Sequence, residues 1–312
     1  MRRAAAALVL LAACGGSGGD SEAAPTTTST TEAPETTTTT VPTTTTTTAP
    51  PLLVEPGVRP VAAPDPAGLA DQLARAVAVI ENPASTRAQA VAAGRLQQVA
   101  VRQLATHPEW DADVAARLPE PVRPVVAADV AAGRELAQLV RRPRETLPAW
   151  RIVEPPPPEE LRALYGEAEA RFGVPWQVLA AVHLTETRMG RIRGTSTAGA
   201  QGPMQFLPST WAAYGLGGDI NGTRDAIFGA ANYLAANGAA RGDLDNALYR
   251  YNPTPRYVNA VKAYTERIRT HERAYVGYWA WEVYYVTVLG DVWLRPGYES
   301  TVERPVTPAD LG

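Results

Sequence analysis

The sequence predicts a mainly α-helical protein, and three observations carry that prediction. Alanine-rich stretches repeat their apolar residues at helical spacing, proline and capping residues stand where helices would begin, and strand formers crowd together only near the C-terminal end. From Pro66 onward, Leu69, Leu73, Val77 and Ile80 share one face of a helix that Pro83 must end. Thr86 with Gln89 forms a capping-box pattern for a second helix running toward Leu104. A third begins near Pro121 and carries Val125, Val126, Val130, Leu136, Leu139 and Val140. No polar cluster marks this region, so it reads as a small helical bundle that serves as a packing platform rather than as a partner-binding module.

Leu147-Pro148-Ala149-Trp150 opens a connector that Pro155 to Pro158 stiffens. Glu159 starts the next helix, with Leu161, Leu164, Tyr165, Ala168 and Phe172 apolar and Gly173 as its stop. Val174 to Leu184 is almost wholly hydrophobic, and Pro175 stands where a helix tolerates proline best. Farther on, Tyr278, Trp279, Trp281, Val283, Tyr284, Tyr285 and Val286 crowd the segment Tyr275 to Leu294, which predicts a β-hairpin turning at Gly290-Asp291. Its aromatics would either cover the surface of the preceding domain, the preferred reading, or stack on sugar rings.

The N-terminal end is not core-forming. Met1-Arg2-Arg3 followed by Ala4 to Ala13 has the charged and apolar regions of a signal peptide, and Leu11-Ala12-Ala13-Cys14-Gly15 matches a lipobox. Cys14 is also the sole cysteine, so it has no disulfide partner within the chain and no thiolate metal site exists. The Thr-, Pro- and Ser-rich tract that follows reads as a disordered tether, with a reach of roughly 35 Å as a coil and on the order of 120 Å if stretched. Twenty-nine basic against 32 acidic residues, with no basic run, give no hint of nucleic-acid binding, and no nucleic-acid partner is expected.

Glu186 is the residue with the clearest chemical promise. It falls near the C-terminus of the apolar 174–184 helix, where burial disfavours a charged carboxylate and the negative end of the helix dipole repels it. A glutamate kept protonated near neutral pH is what a general acid for glycosidic cleavage requires. His183, one turn earlier, has neither a serine nucleophile nor a metal-ligand pattern beside it and reads as a core histidine.

The string Glu186-Thr187-Arg188-Met189-Gly190-Arg191, then Ser196 to Phe206 with Gly199-Ala200-Gln201-Gly202-Pro203-Met204-Gln205, then Pro208-Ser209-Thr210-Trp211, resembles the catalytic signature of bacterial lytic transglycosylases. Both the soluble type and the membrane-bound B type are echoed. The resemblance continues through Asp225 to Leu234 and the Ala247 to Asn252 Tyr-Asn element, covering about Glu159 to His271. It implies a lysozyme-like catalytic domain in which Glu186 is acid and then base, while Thr187, Ser196, Met204, Gln205, Tyr251 and Asn252 line the sugar subsites. For Met204 and Tyr251, ordinary core packing is an equal alternative.

Two departures stand out. Pro203 replaces the leucine usual in the soluble type, and Pro253-Thr254-Pro255 replaces the usual Ala-Gly after Asn252. The loop Gly217 to Asp225 offers Asp219, Asn221 and Asp225 at alternating positions, but lacks the length and closing glutamate of an EF-hand. No metal site is assigned there, and Asp225 is expected to cap the helix that follows.

Two-carboxylate glycosidases pair an acid with a base or nucleophile, yet no Asp or Glu occurs between Thr187 and Gly218. A single carboxylate suffices if the attacking group belongs to the substrate. The resemblance implies this chemistry: cleavage of the MurNAc-β-1,4-GlcNAc bond by the muramic acid 6-hydroxyl, giving a 1,6-anhydro product without a cofactor. A hydrolytic muramidase using Asp219 or Asp225, and a non-catalytic wall-binding lipoprotein, are the alternatives. The expected organisation is a signal peptide at 1–13, a tether at 14–60, a helical region at 61–150, the transglycosylase-like domain at 151–274, and a hairpin and tail at 275–312. A monomer is expected, held by lipidated Cys14 at the outer face of the cytoplasmic membrane and acting on peptidoglycan strands.

Overall fold

The Asp65 side chain accepts from the Gly68 backbone N–H, Pro66 occupies the first turn, and α1 (Pro66–Glu81) follows. These residues open the regular part of a computed structural model that describes positions 54–311 apart from 56 and 141. The expected signal segment, Cys14 and the tether as far as residue 53 lie outside the described residues. Thr86 and Gln89 form the reciprocal capping box expected of them, starting α2 (Arg87–Thr106). A short helix without a clear sequence signal, α3 (Asp111–Arg117), precedes α4 (Arg123–Ala137). Leu69, Leu73, Leu104, Val126 and Val130 form the common core of these helices.

The connector contributes β1 (Thr146–Leu147) and β2 (Arg151–Ile152), and α5 (Pro158–Phe172) ends at Gly173 in the left-handed conformation. Helix α6 (Trp176–Thr187) is apolar around its whole circumference and is buried on every side. Just beyond it, β3 (Ile192–Arg193) pairs antiparallel with β2 and ties the chain after α6 to the connector. Then α7 (Pro208–Tyr214), α8 (Thr223–Ala236), α9 (Leu244–Tyr251) and α10 (Pro255–Thr270) follow, and α10 packs against both α6 and α4. Pro255 is the first residue of α10 and Thr254 its N-cap, so the Pro-Thr-Pro departure is a helix start. Ala132 and Leu136 of α4 join the core built around α6.

The C-terminal segment differs from the expected hairpin in its first part. Residues 274–279 form helix α11 (Ala274–Trp279), and the hairpin is confined to β4 (Val283–Thr287) and β5 (Gly290–Leu294). Tertiary contact overrides local propensity here. A Cβ on Gly94 of α2 would lie 2.4 Å from the Gly277 carbonyl oxygen, so two glycines let the helix backbones touch, and a strand at 277 would forfeit that packing. The turn falls at Val288-Leu289 rather than Gly290-Asp291, because the Thr287 side chain closes it by donating to the Gly290 carbonyl and accepting from Leu289 N–H. Finally β6 (Arg304–Pro305) pairs with β1, so the tail closes against the connector.

Between α2, α4, α10 and α11 lies a buried polar knot. The Asp129 carboxylate, 1% exposed, accepts from Gln97 Nε2 at 2.9 Å and from Tyr278 Oη, with the Arg267–Glu81 ion pair nearby. Burial pushes Asp129 up to about 6, although Tyr278 and Arg267 pull the other way. A carboxyl that holds its proton to higher pH in the folded state contributes stability fully below its unfolded value of 3.8, and that contribution is lost as pH rises through about 6. Asp129→Asn should therefore gain on the wild type by roughly 1–3 kcal/mol between pH 4 and 7. Urea titrations across that range check this, and a difference independent of pH would refute it.

Candidate active site

Glu186 sits in the last turn of α6 and is completely buried. It lies within the main hydrophobic core, near Tyr251 and Tyr257, and among the described residues no cation offsets the loss of hydration. Burial accordingly pushes its carboxyl up to about 8, while a hydrogen bond from Tyr257 pulls the other way. Tyr257 Oη, in the first turn of α10, donates to Glu186 Oε1 at 2.8 Å. Glu186 Oε2 has no hydrogen-bond partner among the described residues.

The backbone beyond Glu186 is unusually constrained. Arg188 and Met189 both take positive φ, at 54° and 60°, and end α6 with hydrogen bonds back to Leu184 and His183 carbonyls. Gln205 has φ 51°, so three of the four non-glycine left-handed residues among those described lie at the end of α6 or in the loop bonded to it through Thr187. Strain at such positions persists only when surrounding structure holds it. Here Thr187 Oγ1 donates to the Pro203 carbonyl at 2.5 Å and accepts from Gly190 N–H, and Tyr251 Oη donates to the Met204 carbonyl at 2.6 Å. Gly202, at φ 75°, lies where a Cβ would come within 1.8 Å of the Ile220 carbonyl oxygen.

The residues expected to line sugar subsites gather around this loop, but most lie beneath its surface. Thr187, Met204, Gln205 and Tyr251 are at most 2% exposed, and Ser196 and Asn252 are 8% and 7% exposed. Tyr251 and Met204 belong to the main hydrophobic core, and Tyr251 lies parallel to Tyr257 with ring centroids 6.3 Å apart. Ser196 Oγ accepts from Ala200 N–H and shapes the turn between them. Gln205 Nε2 donates to the Gly202 carbonyl, and Gln205 Oε1 is buried without a partner.

His183 turns away from Glu186. Its Nδ1 meets Tyr165 Oη at 2.7 Å, and burial pushes the imidazole down to about 3, so it stays neutral. Asp225 is inside the first turn of α8, which starts at Thr223 and not Ala226 as expected; it accepts from Asp219 N–H at 2.9 Å. Asp219 in turn accepts from Asn221 N–H. Of the C-terminal aromatics, Tyr278 and Trp281 pack edge to face with Tyr264 inside the core. Tyr257 escaped the sequence reading because a tyrosine in the apolar stripe of an amphipathic helix looks like any core tyrosine; only its contact with Glu186 distinguishes it.

Residues 194–245 match the family model for a transglycosylase SLT domain. The chain carries an SLT-type transglycosylase domain. The matched residues span the 196–206 segment, α7 and α8, and stop short of Tyr251; Glu186 and the left-handed Arg188 and Met189 lie just before them. The chain is also similar to membrane-bound lytic murein transglycosylase F of Thiobacillus denitrificans, with 34% identity over 76 residues, which are 24% of this chain and 16% of that protein. The chain thus spans only a small part of that relative's length. No solved structure matches. The mostly helical architecture with short strand pairs is consistent with the lysozyme-like fold of SLT domains.

Because its folded carboxyl lies above the unfolded value of 4.5, Glu186 contributes stability that is full below pH 4.5 and lost as pH rises through about 8. Glu186→Gln is expected to stabilise the fold at pH 7 by roughly 2–4 kcal/mol and to leave it unchanged at pH 4. Thermal melts at the two pH values check this, and a loss of stability at pH 7 would contradict the site's electrostatics. Gly202→Ala should cost roughly 2 kcal/mol or more, since it combines an unfavourable φ with a collision against backbone. A chemical denaturation midpoint equal to wild type would show that the loop relaxes freely.

Proposed function

We propose that the protein is a lytic transglycosylase that cleaves the MurNAc-β-1,4-GlcNAc bond of peptidoglycan and forms a 1,6-anhydro-muramic end. The observation that carries this reading is Glu186 itself: a carboxyl held protonated by burial, with Oε1 engaged by Tyr257 and Oε2 left without a partner. The proton then belongs on Oε2. It passes to the glycosidic oxygen as the bond from that oxygen to the muramic C1 breaks, and the carboxylate so formed takes the proton of the muramic 6-hydroxyl as its oxygen bonds to C1. No water is consumed. Tyr257 positions the carboxyl and, by donating to it, stabilises the anion between the two proton transfers.

Both aspartates available to a hydrolytic mechanism are occupied with backbone amides of their own loop, which favours intramolecular attack over a muramidase. Ser196, Gln205 and Asn252 supply polar groups for acetamido and hydroxyl contacts, and Thr187, Met204 and Tyr251 shape the floor. Since Glu186 is buried, productive binding requires the 196–206 segment to lift from Tyr251 and Thr187. Lipidation of Cys14 would hold the enzyme at the membrane, with the Thr-rich tract providing reach to the wall.

Mass spectrometry of muropeptides released from purified peptidoglycan tests the reaction. Products one water lighter than hydrolysed muropeptides are expected, with none from Glu186→Gln; reducing muramic ends would indicate a muramidase, and no release by the wild type a binding protein. The rate should fall as pH rises through about 8, where the acid loses its proton. Tyr257→Phe should lower kcat and move that alkaline limb upward, because the lost hydrogen bond favoured the charged form. A limb that stays in place would remove Tyr257 from the mechanism.

A further inference from the structure

A cavity lies away from Glu186, between the segment before α1, the N-terminal half of α2, the connector after β2, Arg191 ahead of β3, the end of α11 and the end of β5. Its volume of about 700 Å³ is within the range of small-ligand sites. Two indoles, Trp279 and Trp293, line it half-buried. Arg191 lies over the Trp279 ring at 5.6 Å, while Arg95 and Arg295 lie over Trp293 at 5.5 and 5.3 Å. None of the residues assigned to catalysis or to the sugar subsites lines this cavity.

The charges here leave a definite sign. Glu282 is within 3.1 Å of Arg95 and Glu154 within 2.9 Å of Arg191, so each lining acid has an arginine. Arg87 pairs with Glu159, but both side chains are more than half exposed and such a pair is weak. Arg295 is exposed and forms no ion pair among the described residues. The rim is therefore positive over an apolar, indole-bearing wall. A pyranose presents an apolar face that stacks on indole, and a carboxylate beside it would meet the guanidinium of Arg295.

We infer that this cavity is a second saccharide-binding site, taking a carboxylated amino-sugar disaccharide with its ring against Trp293 and its carboxylate on Arg295. The inference rests on the peptidoglycan reading for the identity of the sugar and on the cavity alone for its chemistry. A second grip on the glycan would hold an enzyme on an insoluble polymer between cleavage events.

The probe is the disaccharide GlcNAc-β-1,4-MurNAc, which carries the lactyl carboxylate and lacks the bond that Glu186 would cut, with uncharged N,N′-diacetylchitobiose beside it. Titrating the full chain by calorimetry should show saturable binding of the first and at least about tenfold weaker binding of the second. Arg295→Glu alters an exposed side chain, and Ala88→Trp fills the cavity from an exposed position on α2 without removing core packing. Both should weaken GlcNAc-MurNAc binding at least about tenfold while soluble-glycan cleavage persists. No binding by the parent, or equal binding by the parent and both variants, would overturn the inference. Because cleavage is measured separately, lost binding in the variants supports the second site even if anhydro products are never found, and cleavage with unchanged binding refutes it without touching the role of Glu186.

Discussion

Everything in the candidate site follows from one desolvated carboxyl. Glu186 is carried into the interior by a mainly apolar helix, and among the described residues its carboxyl accepts a single hydrogen bond, from Tyr257. An uncompensated buried carboxylate is costly, so the group stays protonated instead of charged. The same burial that destabilises the fold at neutral pH prepares the proton that the proposed chemistry needs. In the proposed function this is stability given up locally for catalysis, and the large core around α6 supplies the surplus that permits it.

The strained loop beyond α6 serves the same group. Arg188, Met189 and Gln205 occupy left-handed backbone, and each is held by contacts with neighbouring elements: the Arg188 guanidinium lies over the Trp281 ring at 5.7 Å, and Met189 and the Met204–Gln205 segment lie against Tyr165 and Tyr251. Holding the chain in this form presses Pro203 and Met204 over α6. A loop closed in this way excludes water from Glu186, and under the proposed function it is the part that must move for a glycan to enter.

The helical region before the connector does more than provide a platform. Its α4 shares the α6 core through Ala132 and Leu136, and its α2 backbone touches α11 at Gly94 and Gly277. Asp129, Gln97, Tyr278 and Arg267 add a polar knot at the same junction. Since α10 lies between α4 and α6, the helix that brings Tyr257 to Glu186 is braced from behind by the N-terminal helices. The orientation of the acid therefore depends on residues far from it in the chain.

Local signals carried much of this protein. Capping by Thr86, the stop at Gly173, the apolar run of α6 and the catalytic-type motif from Glu186 to Trp211 are written in neighbouring residues, because caps, periodicity and turn chemistry act over a few positions. Long-range packing decided the rest. It made residues 274–279 a helix against α2 despite their strand-forming composition, placed Tyr257 on Glu186 across 71 positions of sequence, turned His183 toward Tyr165, and assembled an arginine- and indole-lined cavity from well-separated segments. Such contacts depend on which faces meet after the chain has closed, and a one-dimensional pattern specifies the face but not the partner.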